Sequence, residues 1–366
     1  MPRLASLLAI LVLAAHASAA EPLSHQRVMQ FTDAQGGTQP VVSRTDWLRR
    51  RAQILDGFQA AAGPLPERAK LPPLDVQVHD EVEQAGTTRQ TISFASESAA
   101  ISAPDRVTAY LWLPAGRAAG KRLPAILALH PTGPLGKGIV AGLGPRANRG
   151  YGLELAQRGY VVIAPDYPSF GDLEKYDFAA DPHPSGTIKA IINHLRAVDV
   201  LVARDDVDPE RIGVIGHSLG GHNAIFSALF DERLKAVVSS CGWCPFHDYK
   251  EGNIAGWTSD RYMPRLKDTY GLDPNRVPFD FYELVAALAP RPFFSSSPLH
   301  DSNFDYAGVK KAEVEARQVY ELLGAKNELV IRYPDCDHDF PEPIRQEAYA
   351  FLDRALGHNP PQRTKH

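Results

Sequence analysis

The chain has 366 residues, of which 44% are hydrophobic and 22% are charged, and its formal net charge is −4. This composition excludes a wholly disordered chain, because such chains are poor in apolar residues. It also disfavours nucleic acid or an anionic membrane surface as the main partner, because there is no basic excess. The length suits one large α/β domain with added segments, or two smaller domains.

The first twenty residues have the three-part layout of a secretory signal peptide. Arg3 supplies a positive charge, residues 4–15 form a nearly unbroken apolar run, and residues 17–19 form a small-residue cleavage site. The run is too short to span a membrane comfortably. We therefore predict a signal peptide over residues 1–20 and an exported mature protein, periplasmic or secreted, without a membrane span.

An N-terminal extension with one helix is predicted to precede the main domain. Apolar side chains recur at helical spacing over residues 46–59, and Asp46 is the expected N-cap of this helix. Prolines between residues 64 and 73 then end the segment. The predicted divisions are an extension over residues 21–72, a main domain over 73–358 and a disordered tail over 359–366.

The main domain is predicted to alternate strands with helices. Three short strand patterns come first, at residues 75–81, 89–94 and 107–113, and the last of them alternates as a half-buried strand does. Continuous apolar runs follow, at residues 124–129, 160–164, 212–215, 236–238, 292–294 and 329–331. Helical patterns lie between and after these runs, at residues 152–157, 187–203, 219–230, 309–323 and 343–356. Buried apolar strands that alternate with helices indicate a mostly parallel sheet covered on both faces. The first strands are predicted to be antiparallel.

A nucleophile motif lies between one of these strands and the helix that follows it. Residues 216–220 read Gly-His-Ser-Leu-Gly, a G-x-S-x-G sequence that is weak by itself. The preceding apolar strand and the following helix supply the strand–turn–helix context that a nucleophile elbow requires. We therefore predict Ser218 as the nucleophile and the backbone N–H of Leu219 as an oxyanion donor at the helix N-terminus.

A serine hydroxyl needs a base, and the base needs an orienting acid. In proteins with this elbow the chain order is serine, then acid, then histidine. His338 follows the last predicted strand and is the expected base, while Asp301 follows the strand before it, with Asp305 as the alternative acid. Thr132, in the loop after the run at 124–129, is predicted to supply the second oxyanion N–H, since Pro131 has none.

A long segment without a strand pattern, residues 244–280, is interpreted as an insertion near the active site, because loops of this length are usually functional. Candidate substrate-pocket residues in and beside it, and at a neighbouring strand end, are His130, Trp243, Trp257, Arg261 and Tyr262. Aromatic rings beside an arginine suit a sugar ring or an acidic group. The alternative is that these rings pack the loop onto the body of the protein.

No metal or cofactor site is predicted. The histidines near the strand ends lie on separate segments, without the tight spacing of known metal motifs. Three cysteines cannot form a disulfide framework. A bridge between Cys241 and Cys244 is possible in an oxidising compartment, but either thiol could equally be buried, and Cys336 could be free or paired.

Five segments of the chain resemble the α/β-hydrolase superfamily, and within it the exported proteins similar to dienelactone hydrolase and acetyl xylan esterase. These segments are LALHPTG, GYVVIAPDYPSFGD, DPERIGVIGHSLGG, LAPRPFF and PDCDHDF. The resemblance implies an α/β-hydrolase fold over about residues 73–358 and ester hydrolysis through an acyl-enzyme, with no cofactor. Dienelactone hydrolases proper use a cysteine nucleophile, so Ser218 favours an esterase. Glucuronoyl esterases carry a different elbow, which makes that assignment more remote.

The sequence thus predicts a serine carboxylic ester hydrolase that acts on a carbohydrate or small ester, most simply as an acetyl esterase. One alternative is an exported serine peptidase or amidase, because GHSLGG also resembles prolyl-oligopeptidase-like hydrolases. No run of strands typical of a propeller precedes the main domain, which argues against a typical oligopeptidase. A second alternative is a non-catalytic glycan-binding relative. The expected partner is a small ester or acylated glycan, and no oligomeric state is predicted.

Overall fold

The structure, a computed structural model, describes residues 24–97, 105–116 and 120–361. The predicted signal peptide at residues 1–20 and the last five residues of the predicted tail therefore lie outside the described residues. In the described part of the chain, no helix is both long enough and apolar enough to cross a bilayer.

A nine-stranded sheet runs through the described part of the molecule. Its strands are β3 (Gln77–Gln84), β4 (Thr87–Ala95), β5 (Arg106–Pro114), β6 (Leu123–Leu129), β7 (Val161–Pro165), β8 (Val207–His217), β9 (Leu234–Ser240), β10 (Phe293–Ser296) and β11 (Leu329–Arg332). Their order is β11-β10-β9-β8-β6-β7-β5-β4-β3, with β6 to β11 parallel and β3 to β5 antiparallel. This confirms the predicted mostly parallel sheet with antiparallel first strands.

Helices cover both faces of the parallel strands. They are α1 (Arg44–Ala62), α2 (Tyr151–Gln157), α3 (Gly186–Val202), α4 (Leu219–Phe230), α5 (Arg265–Asp268), α6 (Phe281–Ala286), α7 (Tyr306–Leu322) and α8 (Glu342–Ala355). Strand side chains point to alternate faces. Leu127 of β6 packs in the cluster formed with α1, α3, α4, α6 and α7, whereas its neighbours Ile126 and Ala128 pack with α2 and α8. A strand buried on both faces must be apolar at every position, which explains the continuous runs in the sequence.

The parallel strands end in a row at one edge of the sheet. Leu129 of β6 pairs with Gly216 of β8, and Ser240 of β9 pairs with both His217 and Ser296 of β10. The loops that follow these strands therefore emerge side by side. In open α/β sheets this edge is where ligands bind.

Helix α1 begins two residues earlier than expected, and its cap differs from the prediction. The Ser43 hydroxyl accepts a hydrogen bond from the Asp46 N–H at 3.2 Å, so Ser43 is the N-cap. The prediction of Asp46 as N-cap was wrong because a serine three residues upstream takes that position. Asp46 lies in the first turn, where its carboxylate accepts from the Ser43 hydroxyl at 2.6 Å. Such reciprocal bonds resemble a capping box.

The N-terminal extension packs into the main core. Phe58 of α1 is fully buried, and its ring centroid lies 5.0 Å from that of Phe226 in α4. A short hairpin, β1 (Gln30–Thr32) and β2 (Thr38–Pro40), precedes α1 in a segment whose sequence suggested only irregular structure. Three-residue strands carry too little periodicity to be recognised from sequence.

The insertion predicted at residues 244–280 has no strand among its described residues. It consists of turns, two short 3-10 helices (Tyr249–Gly252 and Ile254–Trp257) and the four-residue helix α5. At its end, Asp280 caps α6 through a capping box with Glu283. Burial raises the pKa of Asp280 to about 7, although bonds from the backbone N–H groups of Phe246 and Phe281 oppose this shift.

His25 fastens the start of the described chain to the end of this insertion. Its Nδ1 lies 2.8 Å from Glu283 Oε2, and its Nε2 lies 2.8 Å from the Val277 carbonyl oxygen. Both partners can only accept, so both ring nitrogens must carry a proton, and the imidazole is positively charged. Burial opposes this charge, but the bond from Glu283 and the charges of Glu283 and Asp280 outweigh it and raise the pKa of His25. Arg50 pairs with the same carboxylate.

We predict that His25 stabilises the fold in a pH-dependent way. A group whose pKa is raised by folding contributes fully below its unfolded pKa, and this contribution disappears as the pH rises through the folded value. The variant His25→Gln should lower the free energy of unfolding by about 1 kcal/mol at pH 5.5 and by much less at pH 8.5. Thermal midpoints at both pH values measure this difference. An equal loss at the two values would contradict the proposed protonation.

Candidate active site

Ser218 occupies a strained turn between β8 and α4. Its backbone has φ 55° and ψ −118°, a conformation that residues other than glycine rarely adopt. A Cβ atom on Gly216 would lie 2.0 Å from the Gly220 carbonyl oxygen, and one on Gly220 would lie 2.0 Å from the Leu129 carbonyl oxygen. Both glycines are therefore required by space. The Ser218 N–H donates to the Ser240 carbonyl at 2.8 Å, which ties the turn to β9.

The structure brings Asp301 and His338 together. His338 Nδ1 lies 2.9 Å from each carboxylate oxygen of Asp301, whose side chain is fully buried. The backbone N–H groups of Asn303 and Phe304 also donate to Asp301, at 2.8 and 3.1 Å. Asp305, the alternative acid, instead caps α7 by accepting from Ala307 N–H at 2.8 Å. An acid bound to Nδ1 leaves Nε2 as the nitrogen available for proton transfer.

The loop that carries His338 is held by a buried arginine. Arg149 donates through Nη2 to the His338 carbonyl oxygen at 3.1 Å, and its Nη1 pairs with the Asp339 carboxylate. Asn148 donates to the second oxygen of Asp339 at 2.6 Å. These bonds connect the loop after β11 to the loop after β6. Charge-assisted bonds of this kind fix the position of the histidine backbone.

Cys241 lies beneath the acid–histidine pair. Its Sγ and the ligand atoms of Asp301 and His338 all lie within 4.8 Å of one another, close enough to share a metal ion. Burial, and then the charge of Asp301, raise the pKa of the Cys241 thiol well above its usual range. A protonated thiol is a poor metal ligand. The three cysteines are free thiols, and the mutual bond of Asp301 and His338 uses the atoms that would bind an ion.

His217 carries a neutral imidazole next to Ser218, the predicted nucleophile. Its Nδ1 lies 3.0 Å from Ser240 Oγ, and its ring centroid lies 4.9 Å from that of His338. Burial, followed by the charges of Arg149, His338 and Arg146, lowers the pKa of His217 well below its usual value. The ring therefore adds no charge of its own to the site. Its Nε2 has no hydrogen-bond partner among the described residues.

A cavity of about 430 Å³, here called the large lobe, opens on one side of Ser218. Its lining residues come mainly from the loop after β6 and are Pro131, Thr132, Gly133, Pro134, Leu135, Ile139, Gly144, Pro145, Arg146, Arg149, His217, Ser218 and His338. That loop is anchored by the buried Lys137, which donates through Nζ to Asp166 at 2.6 Å. Burial disfavours the ammonium, but the Asp166 carboxylate outweighs it and raises the pKa of Lys137.

A second cavity of about 70 Å³, the small lobe, shares Ser218 and Thr132 with the large lobe. It is lined mostly by aromatic side chains and by residues next to the elbow: Thr132, Ser218, Leu219, His222, Tyr249, Gly256, Trp257, Tyr262, Asn303 and Phe304. Burial lowers the pKa of His222 to about 3, so this wall is uncharged. Neither ring nitrogen of His222 has a hydrogen-bond partner among the described residues.

The predicted oxyanion residues line the same cavities as Ser218. Leu219 is the first residue of α4 and lines the small lobe, while Thr132 lines both lobes together with Ser218. A helix N-terminus presents unpaired N–H groups and a partial positive charge. The oxyanion roles of the Leu219 and Thr132 N–H groups stay a prediction.

Two of the five predicted pocket residues, Trp257 and Tyr262, line the small lobe. His130, Trp243 and Arg261 are not among the described residues that line either lobe. Trp243 lies in the core, where its Nε1 donates to Ser295 Oγ at 3.1 Å. Trp243 therefore follows the alternative interpretation, in which the ring packs this segment onto the body of the protein.

His130 and Arg261 form hydrogen bonds with neighbouring loops. His130 is buried, its Nδ1 donates to the Pro131 carbonyl at 2.7 Å, and its Nε2 accepts from Tyr167 N–H at 2.9 Å. Both ring nitrogens are therefore used by the backbone, and burial lowers the pKa of the imidazole. Arg261 donates to Ser169 Oγ at 2.7 Å and stacks 4.4 Å from the centre of the Phe170 ring.

Neither arginine of the large lobe was predicted from the sequence. Arg146 and Arg149 lie in a loop rich in glycine and proline, where no periodicity predicts which side chains face inward. Asn303 and Phe304 of the small lobe were not predicted either, although they lie two and three residues after Asp301. Their closeness in sequence to Asp301, the predicted acid, could have identified them as residues of the site.

Comparison with known proteins shows several similarities. The chain matches the family model described as "Alpha/beta hydrolase family" over residues 126–363. YtaP of Bacillus subtilis, named as a hydrolase, is 31% identical over 210 residues, which are 56% of this chain and 67% of that protein. The 4-O-methyl-glucuronoyl methylesterase 1 of Wolfiporia cocos is 23% identical over 337 residues, 86% of this chain and 78% of the relative. A glucuronoyl esterase structure from Solibacter usitatus shares the fold, with a TM-score of 0.68 at 23% identity over 91% of this chain and 98% of that one.

We predict that Asp301→Asn lowers kcat by about 10⁴, because an amide no longer holds the imidazole in the productive tautomer. The matched control is Asp305→Asn, which leaves a good N-cap on α7 and should change kcat by less than about two-fold. Steady-state hydrolysis of p-nitrophenyl acetate by both variants measures the effect. A large loss in the Asp305 variant and a small one in the Asp301 variant would reverse the assignment of the acid.

Proposed function

The chain belongs to the alpha/beta hydrolase family, and from this premise we propose that it is a serine carboxylic ester hydrolase that removes a short acyl group from a carbohydrate alcohol. The observation that carries the proposal is the Asp301–His338 hydrogen bond at the same cavity wall as Ser218. The roles of nucleophile, base and acid follow from that arrangement.

In the acylation step, His338 Nε2 takes the proton as Ser218 Oγ attacks the ester carbonyl carbon. Asp301 holds the imidazole through Nδ1 and stabilises the imidazolium. The N–H groups of Leu219 and Thr132 receive the oxyanion, where losing one donor typically costs about 10²–10³ in rate. His338 then protonates the alcohol oxygen as the ester C–O bond breaks.

In the deacylation step, a water molecule replaces the alcohol. His338 removes its proton, and the resulting nucleophile attacks the acyl carbon bound to Ser218. Collapse of the second tetrahedral intermediate returns the proton from His338 to Ser218 and releases the carboxylic acid. This sequence uses only side chains and backbone groups of the chain, so the proposed mechanism requires no cofactor.

The two lobes suggest which side of the ester each one holds. The departing alcohol oxygen must lie near His338, which lines the large lobe. Leu219 lines the small lobe, so the acyl group beside the oxyanion points there. Sites for drug-sized ligands usually measure about 300–1,000 Å³. The large lobe, at about 430 Å³, therefore suits a sugar unit, whereas about 70 Å³ suits only a compact acyl group.

Relatives support a carbohydrate ester as the substrate class. The Wolfiporia cocos relative is named for a 4-O-methyl-glucuronoyl ester, in which the sugar itself carries the acyl carbon. The small lobe disfavours such a bulky acyl group, and favours an acetyl-like ester on the sugar hydroxyl. We further propose that the enzyme acts outside the cytoplasm, because its first twenty residues have the pattern of an export signal.

The test is hydrolysis of four probes by the protein and by Ser218→Ala. The probes are p-nitrophenyl acetate, acetylated xylan, a methyl ester of glucuronic acid and a peptide p-nitroanilide. We expect activity on the two acetyl esters, and a fall of at least about 10⁴ in the variant, because the nucleophile is removed. Preference for the glucuronate ester would overturn the assignment of the lobes, and preference for the anilide would indicate a peptidase. Inactivity on all four would favour a binding role.

Acyl length tests the small lobe directly. The variant Trp257→Ala removes one aromatic wall, and we expect the ratio of kcat/KM for p-nitrophenyl butyrate to that for p-nitrophenyl acetate to rise about ten-fold. Trp243→Phe, a conservative change in the core, is the control and should leave the ratio unchanged. A lower thermal midpoint for Trp257→Ala with an unchanged ratio would assign Trp257 to loop packing.

A further inference from the structure

The large lobe carries positive charge on a protein whose formal net charge is −4. Two arginines, Arg146 and Arg149, line it, and none of its described lining residues is an aspartate or glutamate. The charge of Arg149 is offset, because this guanidinium is buried against the Asp339 carboxylate. Arg146 is exposed and has no ion pair or hydrogen bond with any described residue. The lobe therefore holds one uncompensated guanidinium.

The unpaired charge acts close to the reacting atoms. Arg146 contributes, after burial, Arg149 and His338, to lowering the pKa of His217, the residue before the nucleophile. The other groups facing this region are Asp339, which is engaged by Arg149 and Asn148, and the neutral imidazole of His217. Nothing acidic among the described lining residues competes for Arg146.

Apolar residues also line the lobe that contains Arg146. Leu135 and Ile139 are two of them, and Leu135 is 45% exposed. A ligand that fits this wall has one anionic group and one apolar face. A guanidinium binds a carboxylate through two parallel hydrogen bonds, and an apolar wall beside it favours a ring.

We propose that the large lobe selects esters whose alcohol part carries a carboxylate, such as a uronic acid unit acylated on a hydroxyl, and that Arg146 is the specificity-determining residue. The inference rests on the proposed function, because it assigns the alcohol to the large lobe. The carboxylate pairs with Arg146 while the ring lies against Leu135 and Ile139. The ester C–O bond breaks as described above, and the alcohol leaves with its carboxylate intact.

The experiment compares 3-acetoxybenzoate with its neutral methyl ester, two acetyl esters that differ only at the carboxyl group. We expect the protein to prefer the carboxylate by about ten-fold in kcat/KM, mainly through KM, and the preference to decline as salt is raised. In Arg146→Gln this ratio should fall toward one, and Arg146→Lys should retain part of it. Arg27→Gln, which changes an exposed arginine outside both lobes, should leave the ratio unchanged.

The possible results distinguish a failure of this inference from a failure of the proposed function. Hydrolysis of both esters with the same ratio in the protein and in Arg146→Gln would overturn the inference and keep the esterase. A carboxylate preference that survives Arg146→Gln would assign the selection to another group. Failure to hydrolyse either ester, with p-nitrophenyl acetate also inert, would overturn the proposed function itself.

Discussion

The turn between β8 and α4 is so tight, and passes so close to the end of β6, that no side chain fits at two of its glycines. A side chain at Gly216 would meet the Gly220 backbone, and one at Gly220 would meet the Leu129 carbonyl of β6. This close approach fixes where Ser218 stands relative to the ends of the central strands. The other residues of the site lie on loops that leave the same edge of the sheet, so their distances to Ser218 depend on the position of this turn. A larger residue at Gly216 would distort the turn itself, and one at Gly220 would push the turn away from β6, so the geometry around Ser218 would be lost in either case.

Two pairs of bonded residues hold the loops around Ser218 in place. The buried Lys137–Asp166 pair anchors the loop after β6 to the end of β7. Arg149, on that same loop, then holds the backbone of His338. The histidine is thus positioned from two directions, by its acid on one side and by a neighbouring loop on the other. Such support from outside the reacting groups is what keeps a catalytic geometry within tolerance.

The sequence was most informative where a residue's environment follows from local pattern. Fully apolar runs located β6 and β7, and a strand–turn–helix context located Ser218. Chain order was enough to place His338 after β11 and Asp301 after β10. What it could not supply was the direction of loop side chains. His130 appeared suited to a pocket, yet distant backbone groups use both of its nitrogens.

The same limit explains the arginines and the helix cap. Arg146 and Arg149 were overlooked because a loop of glycines and prolines has no period from which an inward face can be read. Asp46 was predicted as the N-cap of α1, but Ser43 is an equally suitable N-cap residue, and only the observed hydrogen bonds show which of the two caps the helix. Trp243 and Trp257 lie on one segment and look alike in sequence, but one lies in the core and the other lines a cavity.

In the proposed mechanism, the presence of His338 in the large lobe has a consequence for the fate of the acyl-enzyme. Water can reach the acyl carbon only through the space that the first alcohol has left, since the small lobe is filled by the acyl group itself. A second alcohol that enters before water would be deprotonated by the same imidazole and would accept the acyl group. Hydrolysis and transesterification therefore compete for one entrance, and the occupancy of that entrance by free glycan decides whether the protein strips acyl groups or moves them between chains.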